Sequence, residues 1–219
     1  MMRGMTFSIV ALSPDGGSLG VATATRTFCV GRSVPAIAPG VGAIATQAWT
    51  NPAFRHAAFQ GLRRGATVEE VLDDLEAMDL AFQTRQVGLM SASGEGAAHT
   101  GVDADPWAGE IVEPGLVLVG DMLAGPEVLA TMRDCFREEA DQGVEFATLL
   151  VDCLLAGDAA GGDRRGRQSA AVMAAPNTVP DTEWPELEVD LRIDDHPDAI
   201  RELAVLLGRW RAEELLSDE

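Results

Sequence analysis

Apolar and polar positions along the chain switch between strand-like alternation and helical spacing, and each switch predicts a boundary. Thr6 to Leu12 is apolar and β-prone, Ser13-Pro14-Asp15-Gly16-Gly17 is turn chemistry, and Ser18 to Thr27 alternates small with β-branched residues. Together they predict a hairpin. Val34 to Ala38, Pro39-Gly40 and Val41 to Trp49 predict a second pair of strands. Gly and Ala dominate all four, so something packs close to at least one face. After Asn51-Pro52 the spacing becomes helical over 52–63 and 67–80, and the second helix opens with the capping box Thr67-x-x-Glu70. Strand patterns return at 85–92, 95–101 and 115–120, and Gly125-Pro126 starts a helix to about Ala140. Residues 143–156 predict another helix, Arg167 to Ala174 a last inner strand, 187–193 a strand, and 197–216 a charged amphipathic helix.

Strand blocks alternating with pairs of helices predict an α+β fold of two antiparallel sheets, stacked as a four-layer αββα sandwich. The expectation is one domain over 1–219, with 180–219 as a C-terminal strand and helix extension.

Charge narrows the function classes. All 16 basic residues are Arg, and the absence of Lys excludes Schiff-base chemistry and a phosphate-binding P-loop. Against 35 acids the net charge is −19, the wrong sign for a nucleic-acid partner. The charge is unevenly placed: residues 1–65 carry six Arg and the single acid Asp15, whereas 66–219 carry ten Arg and 34 acids. With no membrane-length apolar run and no signal-peptide pattern, the expected location is the cytoplasm, without a membrane partner. Cys29, Cys135 and Cys153, like His56, His99 and His196, show no metal-ligand spacing, so no metal and no cofactor is expected. Ile200, Leu203, Leu206, Leu207 and Trp210 form a stripe on the last helix, which predicts a homo-oligomer, in the simplest case a homodimer.

Thr6 opens the first strand behind Met5. If a chain began at Thr6, the α-amine could take the proton of its own hydroxyl, so one residue would be nucleophile and base. The plain alternative is an ordinary β-branched strand residue. Arg26 and Arg32 could stabilise an oxyanion but cannot accept a proton. The loop 159–167, with Gly161-Gly162-Asp163-Arg164-Arg165, could present arginine forks to a carboxylate, or could be a basic turn with Asp163 paired to a neighbouring Arg. Gln47, Asn51 and Asp121 lie at strand ends as possible ligand or oxyanion contacts, or as plain turn and cap residues. Asp194-Asp195-His196-Pro197 reads more simply as a helix start than as a metal motif.

Segments spread over nearly the whole chain resemble the domain-of-unknown-function 1028 family. They include Met5 to Val10, Ala45-Thr46-Gln47, Asn51-Pro52, Ala98-His99-Thr100-Gly101, Leu123 to Pro126, the long Ala160 to Ala170 stretch around Gly161-Gly162-Asp163, and Asp190 to Pro197. The element order also resembles N-terminal-nucleophile hydrolases such as proteasome β-subunits, although their Thr is paired with a Lys that this chain lacks. The resemblance implies an amidohydrolase working through an acyl-enzyme on Thr6, and the positive N-terminal third together with Arg164, Arg165 and Arg167 makes a small anionic amide the expected substrate. Thr6, Arg26 and Asp163 would then be catalytic, and Arg32, Thr46, Gln47, Asn51, Asp121, Arg164, Gln168 and Ser169 would bind the substrate. The competing expectation is a non-catalytic small-molecule or protein-binding module on the same fold.

Overall fold

The computed structural model describes residues 6–182 and 187–217. The predicted hairpin forms as β1 (Thr6–Leu12) and β2 (Ser18–Thr25), followed by a short helix α1 (Val30–Ser33) and the pair β3 (Pro35–Ala38) and β4 (Gly42–Ala48). Helices α2 (Ala53–Arg63) and α3 (Val68–Met78) precede β5 (Arg85–Ser91), β6 (Gly96–Thr100), β7 (Gly109–Glu113) and β8 (Leu116–Asp121). Then come α4 (Glu127–Gln142), α5 (Phe146–Ala159), β9 (Ser169–Pro176), β10 (Val189–Ile193) and α6 (Ala199–Ser217). The capping box at α3 is present, with Thr67 Oγ1 accepting from the Glu70 N–H and Glu70 accepting from the Thr67 N–H. Two elements escaped the sequence pattern. One is α1, a single turn, and the other is β7, a five-residue edge strand whose exposure alternates.

The fold is α+β with two antiparallel sheets. Six strands run in the order β10-β9-β2-β1-β8-β7, and four in the order β3-β4-β5-β6. Period-two alternation decides which side chains meet which layer. On β1, Phe7, Ile9 and Ala11 face a core shared with α4, α5 and α6, while Val10 faces the other sheet, where Ala43, Ala45, Met90, Val117 and Val119 join it. A third cluster, around Phe54, Val71, Leu75 and Leu89, sits between the four-stranded sheet and α2 and α3. Small strand residues permit these close approaches. At Gly20 a Cβ would lie 2.4 Å from Leu150 Cδ1 and 2.7 Å from Phe146, so α5 can rest on β2 only because no side chain is there.

The stripe on α6 does not supply the surface from which self-association was expected. Ile200, Leu203 and Leu207 are at most 3% exposed and belong to the same core as Val172, Ala174 and Val189. Burying that face is already accomplished within the chain, so it gives no reason for self-association. Among the described residues, no helix is long and apolar enough to cross a membrane.

Candidate functional site

Strand parity assembles the site. Thr6 pairs with Thr25 on one side and Asp121 on the other, and Thr25 pairs with Ser169, so Ser169, Thr25, Thr6 and Asp121 form one polar row across β9, β2, β1 and β8. All four are buried. They share the face that looks at the second sheet, two residues along from Ser8 and Thr23. Buried polar groups must be hydrogen-bonded, and here the bonds cross between sheets. Gln47 on β4 accepts from Ser8 Oγ at 2.6 Å, and its Nε2 donates to Thr6 O at 2.9 Å and to Gln86 Oε1 at 2.8 Å. Gln86 in turn donates to Thr100 Oγ1, Gly109 O and Gly120 O.

At the open end of this row lies a cleft of about 500 Å³. Its walls come from Thr6, the 27–34 segment carrying α1, Thr50, and the start of α2 with Pro52 and Arg55. Local geometry fixes each wall. Ser169 Oγ donates to Thr27 O and accepts from the Val30 N–H, standing where a capping side chain at the start of α1 would. Cys29 precedes that helix in the left-handed region (φ 57), and its N–H donates to Asp194 O at 3.0 Å. Gly31 lets α1 lie against β9, because a Cβ there would be 2.8 Å from Ala171 Cβ. Asn51 accepts from the Ala53 N–H and donates to Asp79 at 2.7 Å, which fixes the start of α2. Burial works to raise the Asp79 pKa, but the Ala81 N–H, Asn51 and Arg85 outweigh it and hold the carboxyl below its ordinary range.

Arg55 follows from that placement. Its Nε donates to Pro52 O at 3.4 Å, and its Nη1 donates to Arg32 O at 3.1 Å and Pro35 O at 3.3 Å. These partners are carbonyls, and among the described residues no carboxylate lies within ion-pair distance of Arg55 or of Arg32. Burial lowers the Arg55 pKa, the signature of a cation removed from water without a counter-charge. Among the described residues, no acidic side chain lines the cleft.

The other sequence-selected residues distribute around this centre. Thr46 is buried on β4, with its hydroxyl 3.4 Å from Asn51 O. Arg26 contacts Gln168, whose amide donates to Asp195, and these residues border a separate cleft of about 460 Å³ with Arg165 and Arg167. Asp163 accepts from the Arg26 and Arg165 N–H groups and pairs with the Arg165 side chain. Arg167 pairs with Asp158 and Asp198, and Arg164 donates to Met122 O and Pro106 O. The loop arginines are thus engaged away from Thr6, and the positive charge of the Thr6 cleft comes from Arg32 and Arg55. Sequence reasoning singled out Arg32 but not Arg55, although the Arg-rich, acid-poor N-terminal third was the available signal. His99 is structural, stacked on Phe82 with ring centroids 3.9 Å apart.

A family model described as a family of unknown function, DUF1028, matches residues 6–203. The chain belongs to this family. A DUF1028 crystal structure from Silicibacter pomeroyi is similar at 30% identity with a TM-score of 0.82, covering 94% of this chain and 88% of that one. Beyond the family, Anbu (ancestral beta-subunit) from Yersinia bercovieri matches at 12% identity and a TM-score of 0.38, and an Anbu (Gly-1) mutant from Hyphomicrobium sp. strain MC1 at 12% and 0.40. Each of those two alignments covers 96% of both chains, at scores too low to carry an argument. Comparison with functionally described proteins gives no match.

These findings correct the expectation of an N-terminal-nucleophile amidohydrolase. The family that the chain matches is described as one of unknown function, so membership of it assigns no reaction. At Thr6 the backbone N–H donates to Asp121 Oδ1 at 3.1 Å. Its hydroxyl donates to another hydroxyl, Thr25 Oγ1, at 3.3 Å. Burial pushes the Asp121 carboxyl well above its ordinary range, with the nearby Asp163 and Asp105 charges adding to the effect. Burial also raises Asp163, against the opposing hydrogen bonds from Arg165 and the Arg26 N–H.

Proposed function

We propose that this DUF1028 chain is a non-catalytic binding module that holds a small anion-bearing molecule in the cleft beside Thr6. The layers around it are read as a four-layer αββα sandwich whose inner faces meet at the polar row. One observation carries the reading. Arg55 is a half-buried guanidinium whose protein partners are carbonyls, in a cleft that has no acid among its described residues, on a chain of net charge −19. An acidic protein has carboxylates to neutralise its arginines, and most of them are used that way, so a half-buried arginine left without one favours an external anion. Thr27 and Thr50 add neutral hydroxyls to the same lining.

Thermal-shift titration at constant ionic strength tests this, using small carboxylates and phosphates beside neutral isosteres. A ligand at a hundred times its Kd adds about 2.7 kcal/mol, which for a chain of this size is roughly 5–10 °C in Tm. Anions are expected to raise the Tm of the native chain but not of Arg55→Gln, and proton NMR is expected to show the ligands intact. Equal stabilisation by neutral isosteres would overturn the reading. So would turnover of an amide that disappears in Thr6→Ala.

A further inference from the structure

We infer that the molecule held in this cleft is an organic acid whose carboxylate is joined to an apolar alkyl or aryl body, rather than a bare inorganic anion. The inference rests on the anion-binding reading above. The head group is decided by what Arg55 has left. With Nε and Nη1 bonded to the carbonyls of Pro52, Arg32 and Pro35, the donors without a partner among the described residues are those on Nη2. Two hydrogens on one nitrogen diverge, so Arg55 offers them singly and not as the side-on fork of an unengaged guanidinium. Arg32, exposed at the rim three residues after Cys29, supplies the rest of the positive charge. A planar carboxylate places both oxygens on that polar side. A tetrahedral phosphate would turn charged oxygen toward the rest of the lining as well.

The same lining carries apolar surface, supplied chiefly by Phe28, which is 51% exposed, whereas Val30 and Val34 are each only 3% exposed. Charged oxygen against such a surface loses water without gaining a partner, whereas a hydrocarbon body covers it favourably. The arginines therefore select the charge, and Phe28 selects the body to which it is attached. The cleft of about 500 Å³ matches small-molecule sites in which apolar lining and a few polar groups combine.

Isothermal titration of the full chain at fixed ionic strength decides the matter, with hexanoate, acetate, hexanamide and inorganic phosphate as probes. Hexanoate carries four methylenes more than acetate, and their partial burial is expected to tighten binding roughly tenfold to a hundredfold. Hexanamide, lacking the charge, is expected to bind at least about tenfold more weakly than hexanoate. In Phe28→Ala the hexanoate-to-acetate affinity ratio is expected to fall about tenfold, and Arg32→Gln is expected to weaken both acids alike. Phe28 and Arg32 are exposed, so both variants should fold, which a circular dichroism melt verifies. Equal affinities for hexanoate and acetate, or tightest binding of phosphate, would overturn the apolar-body inference and leave anion binding standing. Failure of all four probes to bind a folded chain would overturn both.

Discussion

Replacing Gln47 with Leu tests whether the tie between the sheets positions Thr6. The substitution nearly conserves shape and removes three hydrogen bonds, those with Ser8 Oγ, Thr6 O and Gln86 Oε1. The losses are unequal. Ser8 can turn its hydroxyl to Thr23 Oγ1, already 2.8 Å away, so it finds a new acceptor. Thr6 O and Gln86 Oε1 instead lose a donor in a region where Gln47 and Gln86 are wholly buried and water cannot replace it. A buried group left unsatisfied costs about 1–3 kcal/mol, and the strand carbonyl, with a second lone pair, lies at the low end. The expected total is about 2–4 kcal/mol, or roughly 5–15 °C in Tm for a chain of this length. Urea unfolding read by tryptophan fluorescence supplies the free energy, and the double variant Gln47→Leu, Gln86→Leu should lose less than the sum of the single variants because they remove each other's stranded partner. A loss below about 1 kcal/mol for Gln47→Leu, or strict additivity of the pair, would refute the claim that this network holds the row in place.

Two further perturbations follow from the same geometry. Because the folded-state pKa of Asp121 lies above its unfolded value, ionisation works against the fold, and the stability present below the unfolded pKa is lost as pH rises toward the folded one. Asp121→Asn keeps an oxygen for the Thr6 N–H, so its Tm relative to the native chain should climb between pH 4 and pH 8; a pH-independent difference would contradict the burial argument. Gly31→Val sets carbon against Ala171 and Arg192 where a Cβ already falls at 2.8 and 3.2 Å. It is expected to cost about 1–3 kcal/mol by overpacking, and lifting α1 from β9 should weaken acetate binding with it. Unchanged calorimetric binding would show that α1 does not form the wall.

Most elements were legible because their signals are local. Thr67 and Glu70 form a capping box by themselves, Ser13 to Gly17 is turn chemistry wherever it occurs, and the alternation in β1 and β2 follows from the geometry of a strand. The weak points were elements too short to show a period. Val30–Ser33 is one turn held by Ser169 from another strand, and Gly109–Glu113 is an edge strand defined by its pairing with β8. Neither condition is written in the residues of the element.

The sequence by itself determined that the chain builds strands and paired helices in this order, that it is strongly acidic, and that its positive charge concentrates in the first third. It could list Thr6, Arg32, Asp121 and Ser169 as polar residues near strand ends. Only the tertiary structure decided which of them meet, because register sets the row Ser169, Thr25, Thr6, Asp121 across strands far apart in the chain. The same applies to charge. An arginine's counter-ion depends on what the fold brings within a few ångströms, so Arg165 and Arg167 were indistinguishable from Arg55 until folding gave the first two carboxylates and the third carbonyls. Burial, too, belongs to the fold and not to any one residue. It pushes the Asp121 carboxyl well above its ordinary range and turns the α6 stripe inward to the chain's own sheet.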